Sequence, residues 1–263
     1  MDNCLRTEQL LCLRMLGVAP SEVLKANSAF FKQVMSRHER AEESLSKAAS
    51  LLRRQKSLGI YTLPFYHPDF PESLKRIGDD CPPLIHLLGN KDLLSQEGVA
   101  IIGARQATGK GREAAYKWGV DYARRGKVVI SGLALGCDTA AHQGCLAGKG
   151  YTIAIVASGL DITHPRENIP LQELILNSGG LLLSEQVIGV KANPTRLVAR
   201  NRLQAALSQE VVVTQCPARS GTMHTVRFAR KYGKKIYAVQ YDRYDEMSSG
   251  NEYLIKEGMA SPL

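Results

Sequence analysis

The chain has 263 residues, 44% of them hydrophobic, which suits one large α/β domain or one such domain with a small appendage. A formal net charge of +9 favours a polyanionic partner: nucleic acid, nucleotide phosphates or a membrane surface. The sequence shows no signal peptide, no apolar run near the roughly 20 residues that span a bilayer, and no CxxC pair among its six cysteines. We therefore expect a cytoplasmic protein with reduced thiols, no membrane partner and no metal site.

Residues 1–57 are predicted to form a small helical domain. Apolar residues recur at helical spacing in TEQLLCLRMLGV, Pro20 and Ser21 allow a new helix to start, and the residues that follow are rich in helix formers. The turn LGVAP matches a helix-hairpin-helix turn, which can present backbone N–H groups to DNA phosphates, although an ordinary connection between helices explains it more simply. The domain is expected to be SAM-like (sterile-alpha-motif-like) or helix-hairpin-helix-like.

Residues 58–263 are predicted to form one α/β domain. After a connector with a short strand and a short helix, short apolar runs alternate with helical segments. Their length and their Val, Ile and Leu content are typical of strands buried on both faces. The alternation predicts right-handed crossovers and a parallel sheet with helices on both faces. The runs are LIHLL at 84, VAIIG at 99, VVIS at 128, TIAIVAS at 152, LLLSE at 181, EVVVTQC at 210 and KIYAVQ at 235.

The loops that follow these strands are rich in glycine, hydroxyl and basic residues. Such loops emerge at one edge of a parallel sheet, and three of them lead into helices, whose N-termini present unpaired N–H groups to anions. Together they predict a phosphate site, although ordinary turns and helix caps explain each loop taken alone better. The predicted contacts are Gly103, Arg105, Thr108, Lys110, Gly111, Ser131, Gly132, Gly136, Ser158, Gly159, Arg219, Ser220, Gly221 and Thr222.

Arginines supply the charge of this predicted site. In GARQATGKG, at 103–111, Arg105 stands where a dinucleotide-binding loop has its second glycine. A guanidinium can fork across the spaced phosphates of a DNA strand. The helix PTRLVARNRLQAALS adds Arg196, Arg200 and Arg202, with no acid between them. They are predicted to contact phosphates and not to form internal ion pairs, with a solvated helix face as the alternative.

Catalytic groupings are scarce. The sequence has no GxSxG, HExxH or Walker A motif and no carboxylate pair at a convincing spacing. Asp138 and His142 are predicted to be a helix N-cap and a packed histidine, and Cys137 is predicted to pack in the interior. We therefore expect neither catalytic residues nor a cofactor.

A series of motifs runs in order through about residues 58–260. The motifs are GxRxxTxxG at 103, SGLALGCDTAAH at 131, GLDITHPREN at 159, LLLSE at 181, ARNR at 199, RSGT at 219 and SGNEYLIKEG at 249. Together they resemble the DprA/Smf family, the DNA-processing proteins of bacterial natural transformation. The resemblance implies an extended Rossmann-like domain that binds single-stranded DNA without catalysis, forms a homodimer and helps to load a RecA-type recombinase. The family's basic pocket maps onto Arg105 and the ARNR segment, which includes Asn201.

The site is predicted to contact mainly the phosphates of the DNA strand. None of the edge loops contains an aromatic residue, so base stacking should contribute less than phosphate contacts, and sequence preference should be small.

The chain departs from the family pattern in several places. LVARNR replaces the usual FPxRNR, Gln215 stands where an acid is expected, and the sequence ends at Leu263 without the small carboxy-terminal domain of many members. Two alternatives stay open for the same pocket: a nucleotide-binding sensor, or a phosphoribohydrolase-like enzyme that uses PGGxGTxxE. In PARSGTMHT, Thr225 replaces the catalytic glutamate of that enzyme motif.

Overall fold

A nine-stranded sheet forms the centre of the computed structural model, which describes residues 4–263. The strands are β1 (Tyr61–Pro64), β2 (Leu84–Gly89), β3 (Gly98–Ile102), β4 (Val128–Ser131), β5 (Thr152–Val156), β6 (Leu181–Ser184), β7 (Glu210–Val213), β8 (Lys235–Ala238) and β9 (Ser261–Pro262). Their order in the sheet is β1-β2-β6-β5-β4-β3-β7-β8-β9.

Helices cover both faces of the sheet. The α-helices are α1 (Thr7–Met15), α2 (Pro20–Lys25), α3 (Ser28–Arg37), α4 (Ala41–Ser57), α5 (Glu72–Lys75), α6 (Gly109–Arg124), α7 (Cys137–Ala147), α8 (Ile169–Asn177), α9 (Pro194–Leu207), α10 (Thr222–Lys231) and α11 (Ser249–Lys256). Short 3₁₀ helices span Gly78–Asp80, Lys91–Ser95, Arg166–Asn168 and Glu246–Ser248.

The sheet is doubly wound. From β3 the chain adds β4, β5 and β6 on one side, then returns to add β7, β8 and β9 on the other, all in parallel. The two directions part between β3 and β7, the point at which open α/β sheets bind ligands. The predicted α/β fold is therefore confirmed.

One strand differs from the expectation of a parallel sheet. The run LIHLL forms β2, which pairs antiparallel with both β1 and β6. An apolar run reads the same in either direction, so its pattern indicates a buried strand without indicating the orientation of that strand.

Burial on both faces explains the apolar content of the strands. In β3, Val99 and Ile101 pack with residues of α6 and α7, whereas Ala100 and Ile102 pack on the other face with residues of α9 and α10. Successive side chains of a strand point to opposite faces, so each strand contributes to two helical layers.

The four amino-terminal helices pack on the outer strands of the sheet. Leu10 and Leu13 of α1, Phe31 of α3 and Ala48 of α4 share one apolar cluster with Leu84 of β2. Three residues separate the end of α4 at Ser57 from the start of β1 at Tyr61. The first three residues of the predicted domain 1–57 lie outside the described residues, and the boundary at 57/58 and the SAM-like or hairpin-like arrangement stay predictions.

No helix among residues 4–263 is both long enough and apolar enough to cross a membrane. The thiols of the six cysteines are free, and all but Cys4 are buried.

The close contact between α6 and α7 gives a test of the fold. A Cβ added at Gly119 would lie 2.5 Å from the carbonyl oxygen of Ala141, so Gly119→Ala should lower the free energy of unfolding by about 1–3 kcal/mol. Gly109→Ala is the control, because nothing lies within 4 Å of its added Cβ. Urea denaturation measures both variants, and equal stabilities would contradict this packing.

Candidate nucleic-acid interface

Hydrogen bonds connect the loop after β3 to Gln215, which follows β7. The backbone N–H of Thr108 donates to Oε1 of Gln215 over 2.9 Å, and the N–H of Ala104 donates to the Gln215 carbonyl over 2.7 Å. Thr108 also caps α6, since its hydroxyl accepts from the N–H of Gly111 over 3.3 Å. A side chain at buried Gly111 would collide with Gln215. Packing therefore accounts for Gly111, which was predicted to contact phosphate.

The loops after β3 and β4 also hold each other. Gly136 has φ +78°, and a Cβ there would collide with the carbonyl oxygens of Ala104 and Arg105. Cys137 donates its N–H to the Ala104 carbonyl over 3.1 Å, and its sulfur fills the space where Gly103 would carry a side chain. Burial raises the pKa of the Cys137 thiol to about 11, so the prediction that Cys137 packs in the interior is confirmed.

Arg200 is buried beneath the loop after β4, with 5% of its surface exposed. Its Nη1 donates to the Gly132 carbonyl over 2.7 Å and to the carbonyl of Ile155 in β5. Any side chain at Gly132 would overlap the guanidinium. Burial lowers the pKa of Arg200 to about 10, with Asp138 acting in the opposite direction. Nη1 thus serves two backbone carbonyls and Nε donates to Oδ1 of Asn201 over 3.2 Å, while the predicted phosphate contact of Arg200 stays a prediction.

Arg202 is also internal. Only 8% exposed, it forms a bidentate ion pair with Glu185, which follows β6, and it donates to the carbonyls of Asp80 and Ala199. The prediction that Arg202 forms no internal ion pair is therefore wrong. Glu185 lies seventeen positions before Arg202 in the sequence, directly after β6, so the sequence of α9 alone does not reveal this pair.

The small residues at the ends of β4 and β5 are buried as well. The Ser131 hydroxyl donates to the Ile101 carbonyl over 2.7 Å, and the Ser158 hydroxyl donates to the Ile162 carbonyl over 2.7 Å. The N–H of Gly159 donates to the Val190 carbonyl over 2.8 Å. Internal partners thus occupy these polar groups. These hydrogen bonds help to shape the loops, and the predicted phosphate contacts of the three residues stay predictions.

The side chains of Asp138 and His142, both on α7, are buried. The N-cap of α7 is Gly136, so the prediction that Asp138 is the cap is wrong; its carboxylate instead accepts from the N–H of Gly132 over 3.1 Å. Burial raises the pKa of Asp138 and lowers that of His142 to about 3. Nδ1 of His142 lies 2.7 Å from the Thr152 hydroxyl, which confirms the prediction of a packed histidine.

Three predicted cations are exposed at the carboxyl edge of the sheet: Arg105, Lys110 and Arg219, which we call the basic edge. None of them forms an ion pair with any of residues 4–263. Arg105 follows β3, Lys110 lies in the first turn of α6, and Arg219 precedes α10. Their charges are therefore available to an anion.

The start of α10 borders the basic edge. Nδ2 of the half-buried Asn201, on α9, donates to the carbonyl of exposed Gly221 over 3.3 Å. The hydroxyl of Ser220 has no hydrogen-bond partner among the described residues, whereas Thr222 is buried in the first turn of α10. Arg196, the remaining predicted cation, lies elsewhere: it lines a cavity against α1.

A groove beside Gly136 contains residues that were not among the predicted contacts. Arg112 and Tyr116, one turn apart on α6, line it together with Leu135, and all three are exposed. The loops at this edge contain no aromatic residue, whereas Tyr116 lies on a helix. The i, i+4 spacing of Arg112 and Tyr116 was the available signal.

A doubly wound sheet with unpaired cations and helix N-termini at its carboxyl edge defines a Rossmann-like protein suited to binding phosphate groups. The family model described as DNA recombination-mediator protein A matches residues 61–263, and the chain belongs to this family.

Two curated relatives illustrate the similarity. The chain is 36% identical over 189 residues to DNA processing protein DprA of Streptococcus pneumoniae, covering 72% of this chain and 66% of the relative. It is 31% identical over 218 residues to DNA processing protein DprA of Bacillus subtilis, covering 82% and 73%. The match therefore spans less than two thirds of the pneumococcal protein.

Two solved structures share the fold. The X-ray structure of DprA from Streptococcus pneumoniae superposes with a TM-score of 0.77 and 29% identity, over 98% of this chain and 90% of that one. DprA from Helicobacter pylori, described for its single-stranded DNA binding mode, gives 0.68 and 30% over 77% and 90%. The first match extends over the amino-terminal helices as well as the sheet. The predicted Rossmann-like fold is confirmed.

The ion pair of Arg202 with Glu185 gives a test of this interior. Glu185→Ala should lower the free energy of unfolding by about 3–5 kcal/mol, because it leaves a buried guanidinium without its partner. Glu185→Ala combined with Arg202→Met should recover much of this loss, since no buried charge remains. Thermal and urea denaturation of the single and double variants measure both effects. A single variant as stable as the parent protein would contradict the buried pair.

Proposed function

We propose that this chain binds single-stranded DNA along the basic edge. The carrying observation is the set of exposed cations, Arg105, Lys110 and Arg219, which have no ion pair among the described residues and border the first turns of α6 and α10. Backbone N–H groups at helix starts and forked guanidinium groups both suit phosphate oxygens. The Helicobacter pylori relative, described as binding single-stranded DNA, supports the choice of ligand.

The binding is proposed to be non-catalytic. Three groups beside the loop after β4 that could act as acid, base or nucleophile are Asp138, His142 and Cys137, and all three are buried. Thr225, which replaces the glutamate of the phosphoribohydrolase motif, is buried in α10. These positions support a binding protein over a hydrolase.

The proposed role in the cell is that of a recombination mediator. On this proposal the protein acts in the cytoplasm as a homodimer, protects single strands and helps to load a RecA-type recombinase during DNA uptake and transformation. Membership of the DNA recombination-mediator protein A family supports it.

The salt dependence of oligonucleotide affinity tests whether the protein binds DNA through its phosphates. Fluorescence anisotropy with a labelled oligothymidylate should show that log affinity falls by roughly 0.7 per phosphate contacted as log salt rises, so three contacts give a slope of roughly 2. A nucleoside monophosphate should compete weakly. Absence of binding at low salt would overturn the proposal. Complete displacement by the mononucleotide would favour the alternative of a nucleotide sensor.

A charge-removal variant tests the location. Arg105→Ala should weaken oligonucleotide binding about tenfold for all sequences, because a hydrogen bond to a charged group contributes about 1.5 kcal/mol or more. Arg124→Ala is the matched control: it removes an exposed arginine in the last turn of α6, about 20 Å along the helix from its start. Equal affinities for the two variants would exclude the β3 loop from the site.

A further inference from the structure

A cavity of about 620 Å³ separates the amino-terminal helices from the carboxyl end of β6. Leu11 and Met15 of α1 form one wall, Leu84 of β2 and Val187 form another, and the first turns of α9 close a third side. This volume lies in the range of sites that hold small organic ligands. The cavity is separate from the basic edge, whose three cations do not line it.

The three acids of this cavity already have partners. Asp79 pairs with Lys25 over 2.9 Å, Asp80 pairs with Lys231, and Glu185 pairs with Arg202. Their negative charges are therefore neutralised within the protein.

Two arginines of the cavity lack such partners. Arg14 of α1 and Arg196 of α9 form no ion pair with any of residues 4–263, and each uses Nη1 on a carbonyl, that of Val18 or Lys191. Partial burial lowers the pKa of Arg14, Glu185 raises it and Arg202 lowers it, so the guanidinium lies close to other charged groups. Two unpaired cations, one from each wall, favour an anion between them.

His86 contributes a donor at the inner end of the cavity. It is 1% exposed, and its Nδ1 lies 2.9 Å from Nε2 of Gln55. That amide nitrogen only donates, because Oε1 of Gln55 accepts from the N–H of Ile188 over 3.1 Å. Nδ1 is therefore the acceptor, and Nε2 carries the proton. Nε2 has no hydrogen-bond partner among the described residues, although His86 lines the cavity.

We propose that this cavity binds one nucleotide unit. The phosphate lies between Arg14 and Arg196, the base packs among the apolar walls, and a base carbonyl accepts from Nε2 of His86 after a small local adjustment. A nucleotide matches the cavity in three ways: its phosphate suits the two unpaired arginines, its flat base suits the apolar walls, and a base carbonyl suits the N–H at Nε2 of His86.

The nucleotide has two chemically equivalent sources: a free nucleoside monophosphate, or one residue of a bound strand. The second source rests on the proposed function, because α9 carries both Arg196, in the cavity, and Asn201, beside the basic edge. A strand that leaves the edge across the first turns of α9 would enter the cavity.

Calorimetric titration of the full chain with thymidine monophosphate tests the free source. Arg14→Ala should weaken binding about tenfold or more, since a hydrogen bond to a charged group is lost. Ala199→Trp should abolish binding by filling the cavity, because Ala199 is exposed and lines it. Arg37→Ala, which removes an exposed arginine of α3 outside both sites, should bind as the parent protein does.

Photocrosslinking with an oligonucleotide that carries 4-thiothymidine tests the strand source. Crosslinks should map to Leu11–Met15 or to residues 187–190 and should disappear in Arg14→Ala and Ala199→Trp but persist in Arg37→Ala. Either signal, with its dependence on Arg14 and Ala199, supports the proposal and identifies the source. Absence of both, or binding that depends on Arg105 alone, overturns it. Oligonucleotide binding without either cavity signal would leave the basic edge intact and refute only the cavity site.

Discussion

The carboxyl edge of the sheet depends on the burial of one positive charge. The guanidinium of Arg200 lies inside the protein, where an uncompensated charge would cost several kcal/mol, and it is stabilised by carbonyl oxygens that follow β4 and lie in β5. Its pKa of about 10 keeps it protonated at pH 7. The guanidinium leaves no room for a side chain at Gly132. Its charge also favours the ionised form of the buried Asp138 side chain, against the effect of burial on the pKa of that group. One residue of α9 thus connects the loop after β4 with strand β5.

This arrangement divides the basic residues into two groups with different tasks. Arg200 and Arg202 are buried and hold loops and strands together, whereas Arg105, Lys110 and Arg219 are exposed and unpaired in the described part of the chain. The groups still act on each other, since the charge of Arg105 lowers the pKa of Arg200. The buried charge therefore adds to the positive potential that an approaching phosphate meets at the edge.

The sequence predicted features that depend on local pattern. Strand and helix alternation, the glycine loops and the packed Cys137 follow from periodicity, turn chemistry and composition, and the structure contains them. Features that depend on distant partners were missed. The acid for Arg202 is Glu185, at the end of another strand, and the reason for Gly111 is Gln215, at the end of β7. The direction of β2 is likewise set by its neighbours, since an apolar run has no polarity of its own.

Helix α9 shows why spacing alone could not determine the surroundings of its arginines. Arg196 and Arg200 are four apart, a spacing that puts two residues on one face of a helix. The stripe that faces the cavity nevertheless contains Arg196, Ala199 and Arg202. At 3.6 residues per turn, steps of three rotate backwards by about 60° each, so this stripe winds slowly away from Arg200. A helix between a sheet and a second helical layer must supply two faces. Each arginine of α9 therefore contacts the element that its own face of the helix meets. Whether an arginine finds an acid depends on the positions of α1 and of the strand ends, which the spacing within α9 does not encode.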